Sequence, residues 1–190
     1  MARVFLIRHG RPAQVWGGSG SDPGLSELGR HQAEEAAACL QAFGPLDIVS
    51  SPMLRCRETA AAYARRRGVE PNIEARVSEI VATEGVEDRA AWLQERFPWR
   101  DRRKRRAWST LEPRLLDWRE DMLGFVRAIR RDTAVFTHFI GINVLAGAAL
   151  GAELTIVCTP DHASITELEV NDRALRLITF GAEMRVDDVR

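Results

Sequence analysis

Apolar and polar positions alternate along this chain with two periods, and the switches between them outline its elements. Val4 to Ile7 is an unbroken apolar run of the kind a strand buried on both faces shows. From about Ser26 to Phe43 the apolar positions Ala33, Ala36, Ala37, Leu40 and Phe43 fall at helical spacing, and Gly44-Pro45 stops the pattern. "LDIVSS" reads as a second strand. Ser51 is then placed to cap a helix whose first residue is Pro52 and which runs to Gly68. "NIEARV" is a weaker third strand. Leu115, Trp118, Met122, Val126 and Ile129 mark a long amphipathic helix, and "TAVFTH" is a further buried strand leading into the small-residue helix "FIGINVLAGAALGA". "SITELEV" and "ALRLITF" alternate in strand fashion around an Asn171-Asp172 turn. Strand–helix alternation closing on a hairpin predicts an α/β fold: a three-layer α/β/α sandwich with a mainly parallel sheet. The expected organisation is a single domain over residues 1–190, with an insertion or cap at about 86–113 that carries Trp92, Trp99, Trp108 and a basic block.

Composition narrows the class without naming a chemistry. With 190 residues, 45% hydrophobic and 28% charged, the chain has the make-up of a soluble globular protein with an ample core. Its 27 Lys+Arg balance 27 Asp+Glu, so no bulk attraction to nucleic acid or anionic lipid is expected. Cys39, Cys56 and Cys158 are odd in number and widely spaced, which fits reduced thiols better than a disulfide frame or a metal site. The first apolar run is too short for a signal peptide and the last too short and polar for a membrane span, so a cytoplasmic location is expected.

Candidate chemistry collects just past the predicted strand ends, where open α/β sheets bind their ligands. The first strand delivers Arg8 and His9, the second Ser50, Ser51 and then Arg55, the third Glu79, and "TAVFTH" delivers His138. Two guanidiniums presented together suit a phosphoryl group, whose oxygens their planar forks match. A neutral histidine beside such a clamp is a candidate nucleophile, and Gly10 would let a substrate approach its ring. "GGSGSDPG" is not a dinucleotide fingerprint, because Pro23 stands where the third glycine belongs. His31 reads as exposed, and His162, just before "SITELEV", as a strand-edge loop residue that could also line the pocket.

"LIRHG", "LSELGRHQA", "SSPMLRCRETA", "SEI" and "THFIGIN", in that order over nearly the whole chain, resemble the histidine phosphatase superfamily with its phosphoglycerate mutase-like fold. The resemblance implies His9 as the phosphorylated nucleophile, Arg8 and Arg55 as the phosphate clamp, and His138 as the second phosphate-binding histidine. It implies Glu79 as the acid/base, with Glu84 as the alternative, because no W-E-G segment follows. Phe139 also departs from the pattern, which often has Gly there. What the family implies is a metal-independent phosphomonoesterase acting on a small phosphorylated metabolite, with no cofactor. An edge strand or a cap helix could pair two subunits into a homodimer. A phosphoglycerate mutase-type phosphotransferase and a non-catalytic phospholigand-binding module are the alternatives. The block "RDRRKRRAW" is either a solvated face or a basic lid for an anionic substrate.

Overall fold

The computed structural model describes residues 1–14, 22–82, 85–171 and 174–184. Strand β1 (Ala2–Arg8) is followed by α1 (Glu27–Leu40), β2 (Asp47–Ser50), α2 (Leu54–Arg67) and the two-residue β3 (Asn72–Ile73). Then come α3 (Arg89–Arg96), α4 (Pro113–Arg127), β4 (Thr133–Thr137), α5 (Phe139–Leu150), β5 (Ile165–Val170) and β6 (Leu175–Thr179). The six strands form one sheet in the order β3-β2-β4-β1-β5-β6. Its first four members are parallel, while β5 runs antiparallel to β1, and β6 to β5.

The unbroken apolar run of β1 is explained by its central place. Phe5 and Ile7 face a cluster with Ala33, Ala36, Ala37 and Leu40 of α1 and Ala60 and Tyr63 of α2. Val4 and Leu6 face the opposite cluster, with Met122 and Val126 of α4 and Ile140 and Val144 of α5. Two helical layers on a mostly parallel sheet make the α/β/α sandwich. Trp92, Leu93, Phe97 and Trp108 from the segment between β3 and α4 pack into the second of these clusters. Among the described residues no helix is long and apolar enough to cross a membrane.

Three boundaries differ from the sequence reading. Helix α2 begins at Leu54 with Met53 at its cap, because the Ser51 hydroxyl turns toward His138 as well as accepting the Met53 N–H (3.3 Å). "NIEARV" contributes only Asn72 and Ile73 to the sheet; Ala75–Val77 tightens into a 3-10 turn capped by the Glu74 carboxylate. Helix α1 ends at Leu40, and Phe43 lies in a 3-10 turn at 37% exposure instead of on the buried face. Of the predicted Asn171-Asp172 turn, Asp172 lies outside the described residues.

Gly10 has a structural cause different from substrate access. A Cβ there would stand 2.5 Å from the Gly29 carbonyl oxygen, and one on Gly29 would stand 2.1 Å from that of Arg11. The loop leaving β1 thus lies backbone against backbone on the first turn of α1. This contact reverses an ordinary helix rule. Replacing glycine by alanine in a helix usually stabilises by up to ~1 kcal/mol, as expected for exposed Gly124 in α4, where a Cβ meets nothing within 4 Å. Gly29→Ala should instead cost about 1–3 kcal/mol through overpacking. Thermal unfolding of the two variants should shift Tm in opposite directions; a Gly29→Ala protein at least as stable as wild type would contradict the close approach.

Candidate active site

Strand register assembles the site. Arg8 of β1 pairs with Thr137 of β4, and Phe136 of β4 with Ser50 of β2, so three chain segments leave the sheet at one level. The next residues are His9, His138 and Ser51. The rings of His9 and His138 lie 5.3 Å apart at 61°. Arg55, in the first turn of α2, reaches back so that its Nη2 donates to His138 Nδ1 at 3.2 Å. Glu79 arrives less directly. It lies beyond the 3-10 turn, which is fixed by a 2.7 Å hydrogen bond from Thr137 Oγ1 to the Val77 carbonyl and by burial of Val77 and Ile80. Arg8, His9, Arg55, Glu79 and His138 are therefore brought to one end of the sheet. Glu84 lies outside the described residues.

The hydrogen-bond partners assign both imidazole tautomers. A carbonyl oxygen only accepts, so His9 Nδ1, 2.9 Å from the Gly10 oxygen, carries the proton and Nε2 bears the lone pair. A guanidinium only donates, so His138 Nδ1 is the acceptor, and its Nε2–H points to Ser51 Oγ at 2.9 Å. Cys56 packs beside that ring, its Sγ 3.3 Å from Nε2. Its thiol is pushed up by burial and stays protonated.

Charge at the site is mostly positive and mostly buried. Arg55 is 2% exposed, and the Nε atoms of Arg8 and Arg55 are buried with no hydrogen-bond partner among the described residues. Burial pushes Arg8 down to about 10, against the pull of Asp161 and Glu79. Burial first, and then the neighbouring cations, hold His9 and His138 well below the usual imidazole range. Burial raises Glu79 above the usual carboxylate range, although Arg55 and other cations oppose it. Its carboxylate accepts the adjacent Ile80 N–H at 3.1 Å. The arrangement offers an anion two guanidiniums, an uncharged imidazole and a carboxyl whose protonated form burial favours.

Several contributors escaped the sequence reading. Asp22 accepts from Arg55 Nη1 (3.3 Å) and from the Leu54 N–H (2.7 Å), so a carboxylate occupies the N-terminal end of α2. Thr59 links Gly10 N–H (3.0 Å) to the Arg55 carbonyl (2.6 Å). Arg89, from the first turn of α3, feels the charges of Glu79 and Arg55. His162 stands beside His9, with ring centroids 5.8 Å apart, and not merely in a peripheral loop. Phe139 finds a use where the family pattern often has glycine: the Arg8 guanidinium lies over its ring at 5.3 Å, and Trp99 packs edge-on against it. In the basic block, Arg102, Arg103 and Lys104 are exposed, and Arg106 donates to Thr110. Among the described residues no group of three or more His, Cys, Asp or Glu side chains is placed to hold a metal ion.

The model of the histidine phosphatase superfamily (branch 1) matches residues 4–183. The chain belongs to the histidine phosphatase superfamily. A glucosyl-3-phosphoglycerate phosphatase of Mycolicibacterium vanbaalenii is 36% identical over 107 residues, covering 52% of this chain and 48% of that protein. One of Mycobacterium tuberculosis is 38% identical over 80 residues, covering 40% and 36% respectively. The matches thus span about half, or less, of these relatives' length. Among solved structures, a mycobacterial glucosyl-3-phosphoglycerate phosphatase superposes with a TM-score of 0.75 at 24% identity, covering 97% of this chain and all of the other. A phosphoserine phosphatase of Entamoeba histolytica in complex with 3-phosphoglyceric acid gives 0.69 at 19% identity, covering 97% and 98%. These likenesses show the phosphoglycerate mutase-like fold.

The depressed rings make stability depend on acid. A group whose folded pKa is lowered contributes fully above its unfolded value, here about 6.5, and the contribution is lost as pH falls toward the folded value. Glu79 acts with the opposite sign, its contribution lost as pH rises through its raised value. With His9 and His138 outweighing one carboxyl, Tm should fall on acidification from about pH 7 to about pH 5. His138→Gln, which cannot titrate, should flatten that slope. Equal slopes for the two proteins would show that the His138 ring is not held neutral.

Proposed function

We propose that this protein is a metal-independent phosphomonoesterase that works through a phosphohistidine on His9. One observation carries the reading. The Gly10 carbonyl accepts the Nδ1–H hydrogen bond and leaves the Nε2 lone pair of His9 free, next to buried Arg55 and half-buried Arg8, whose Nε atoms have no partner among the described residues. In the first step Nε2 attacks phosphorus and the ester P–O bond breaks. The Glu79 carboxyl gives its proton to the departing alkoxide. In the second, the Glu79 carboxylate takes a proton from water, whose oxygen attacks phosphorus; the P–N bond breaks and Nε2 regains its lone pair. Arg8 and Arg55 hold the phosphoryl oxygens, and His138 joins them when its Nε2–H turns from Ser51 Oγ to the phosphoryl group. Each preorganised donor contributes about 3 kcal/mol, and the carboxyl about 100-fold, at typical values.

Glycerate phosphates and their glycosylated derivatives are the substrate class to test first. The sequence relatives are named as glucosyl-3-phosphoglycerate phosphatases. A leaving group with its own carboxylate also suits a site where Arg89 adds a further positive charge beside Glu79.

Quenching turnover of 3-phosphoglycerate should trap an acid-labile phosphohistidine in the wild type and none in His9→Ala, which should lose essentially all activity. A fully active His9→Ala protein ends this reading. Phosphoryl exchange between positions of one substrate without phosphate release would favour the phosphotransferase. Glu79→Gln should lose about 100-fold on an alkyl phosphate and much less on an aryl phosphate, whose leaving group needs little protonation. Equal losses on both esters would remove Glu79 from the role of acid.

A further inference from the structure

The sheet edge that presents the nucleophile carries one more imidazole than the proposed steps use. Ser51, His138 and His9 leave the sheet from β2, β4 and β1, and the next strand across, β5, is entered through His162. Because β5 is antiparallel, its beginning lies at the same edge as the ends of the other three.

The segment before β5 is tied to the end of β1 at four points. Arg8 N–H donates to the Ser164 carbonyl (3.2 Å). Ala163 N–H is shared between the carbonyls of Arg8 (3.0 Å) and His9 (3.3 Å). Pro160 accepts from Arg8 Nη1 at 2.9 Å. These bonds hold Ala163 at φ +57°, the one positive φ on a non-glycine among the described residues. Strain of that kind persists only where surrounding contacts over-determine it. Its effect is to set the His162 ring against that of His9, at 5.8 Å between centroids and 56° between planes.

His9 needs such a neighbour. Among the described residues its ring is anchored by one hydrogen bond, from Nδ1 to the Gly10 carbonyl, and a single bond leaves the ring free to swing about it. His138 walls it on the β4 side at 5.3 Å. We propose that His162 is a positioning residue for the nucleophile: its ring walls His9 on the β5 side and, with His138 and the Gly10 carbonyl, fixes the orientation in which Nε2 meets phosphorus.

Two further features fit a wall rather than a proton carrier. Burial, with the charges of Arg8 and Arg11, pushes His162 down to about 3, so the ring adds no charge beside the phosphoryl group. Asp161 steadies the segment by accepting the His162 backbone N–H at 2.7 Å through Oδ1.

This inference rests on His9 being the nucleophile, and the experiment separates the two claims. Steady-state kinetics on 3-phosphoglycerate, with rapid-quench measurement of phosphohistidine formation, would compare wild type, His162→Ala and His162→Phe. Loss of the wall should lower kcat and the phosphorylation rate about ten-fold in His162→Ala, with KM within about two-fold, because misorientation acts on the transition state. His162→Phe, a ring without hydrogen-bonding atoms, should recover most of the rate. An unimpaired His162→Ala, a rise in KM alone, or a His162→Phe protein as slow as His162→Ala would each overturn the proposal. If His162→Ala does not fold, His162→Leu against His162→Phe carries the same test, with rates equal in the two variants as the overturning result. An inactive His9→Ala beside an unimpaired His162→Ala would remove this inference alone, whereas an active His9→Ala would remove the proposed mechanism with it.

Discussion

The parallel pairing of β1 with β4 is the constraint on which this site depends. Arg8 opposite Thr137 sets the level at which both strands stop. The residue after each is a histidine, and the His9 N–H is bonded to the Thr137 carbonyl at 3.0 Å. A slip of one residue would turn every side chain of β1 to the other face, putting Phe5 and Ile7 among the partners of Val4 and Leu6. The two dissimilar cores, alanine-rich under α1 and α2 and bulkier under α4 and α5, make such a slip costly. The register that buries the core is therefore the register that pairs the imidazoles.

Around this pair the protein concentrates buried positive charge with little built to neutralise it. Arg55 is wholly enclosed, yet among the described residues its guanidinium bonds only to Asp22, a neutral ring and a thioether. Removing a guanidinium from water costs several kcal/mol unless partners repay it. Packing contributes part: Phe139 lies under Arg8, and Trp99 braces Phe139, so the segment between β3 and α4 is coupled to the clamp through a stack of rings. The remaining deficit is the feature an anion would relieve. The same cations and the same burial keep the imidazoles uncharged, while burial raises Glu79 against the pull of those cations. One environment thus biases all three groups toward their uncharged forms.

Much of this was legible from order alone. The apolar run into Arg8-His9-Gly10, the strand ending in Thr137-His138 and the arginine just inside α2 carry their own local signals. Glu79 was named from the end of the third strand and by resemblance, yet β3 ends six residues earlier and a hydrogen bond from a distant threonine holds the intervening turn. Asp22, Thr59 and Arg89 had no signal, and His162 only its place just before a strand. Each sits in a loop or on a helix whose neighbours in the chain say nothing about the site.

What the sequence by itself determined is periodicity: which segments are strands and helices, which faces are apolar, and which polar residues stand at strand ends. Those follow from backbone geometry and the removal of apolar surface from water, and both act locally. What only the tertiary structure decided is adjacency. Gly10 exists for the Gly29 carbonyl, Phe139 for the Arg8 guanidinium, and the His162 ring meets His9 only because β5 happens to lie beside β1. Protonation belongs to the same category, because the field at a buried ring is the sum of charges from segments far apart in the chain.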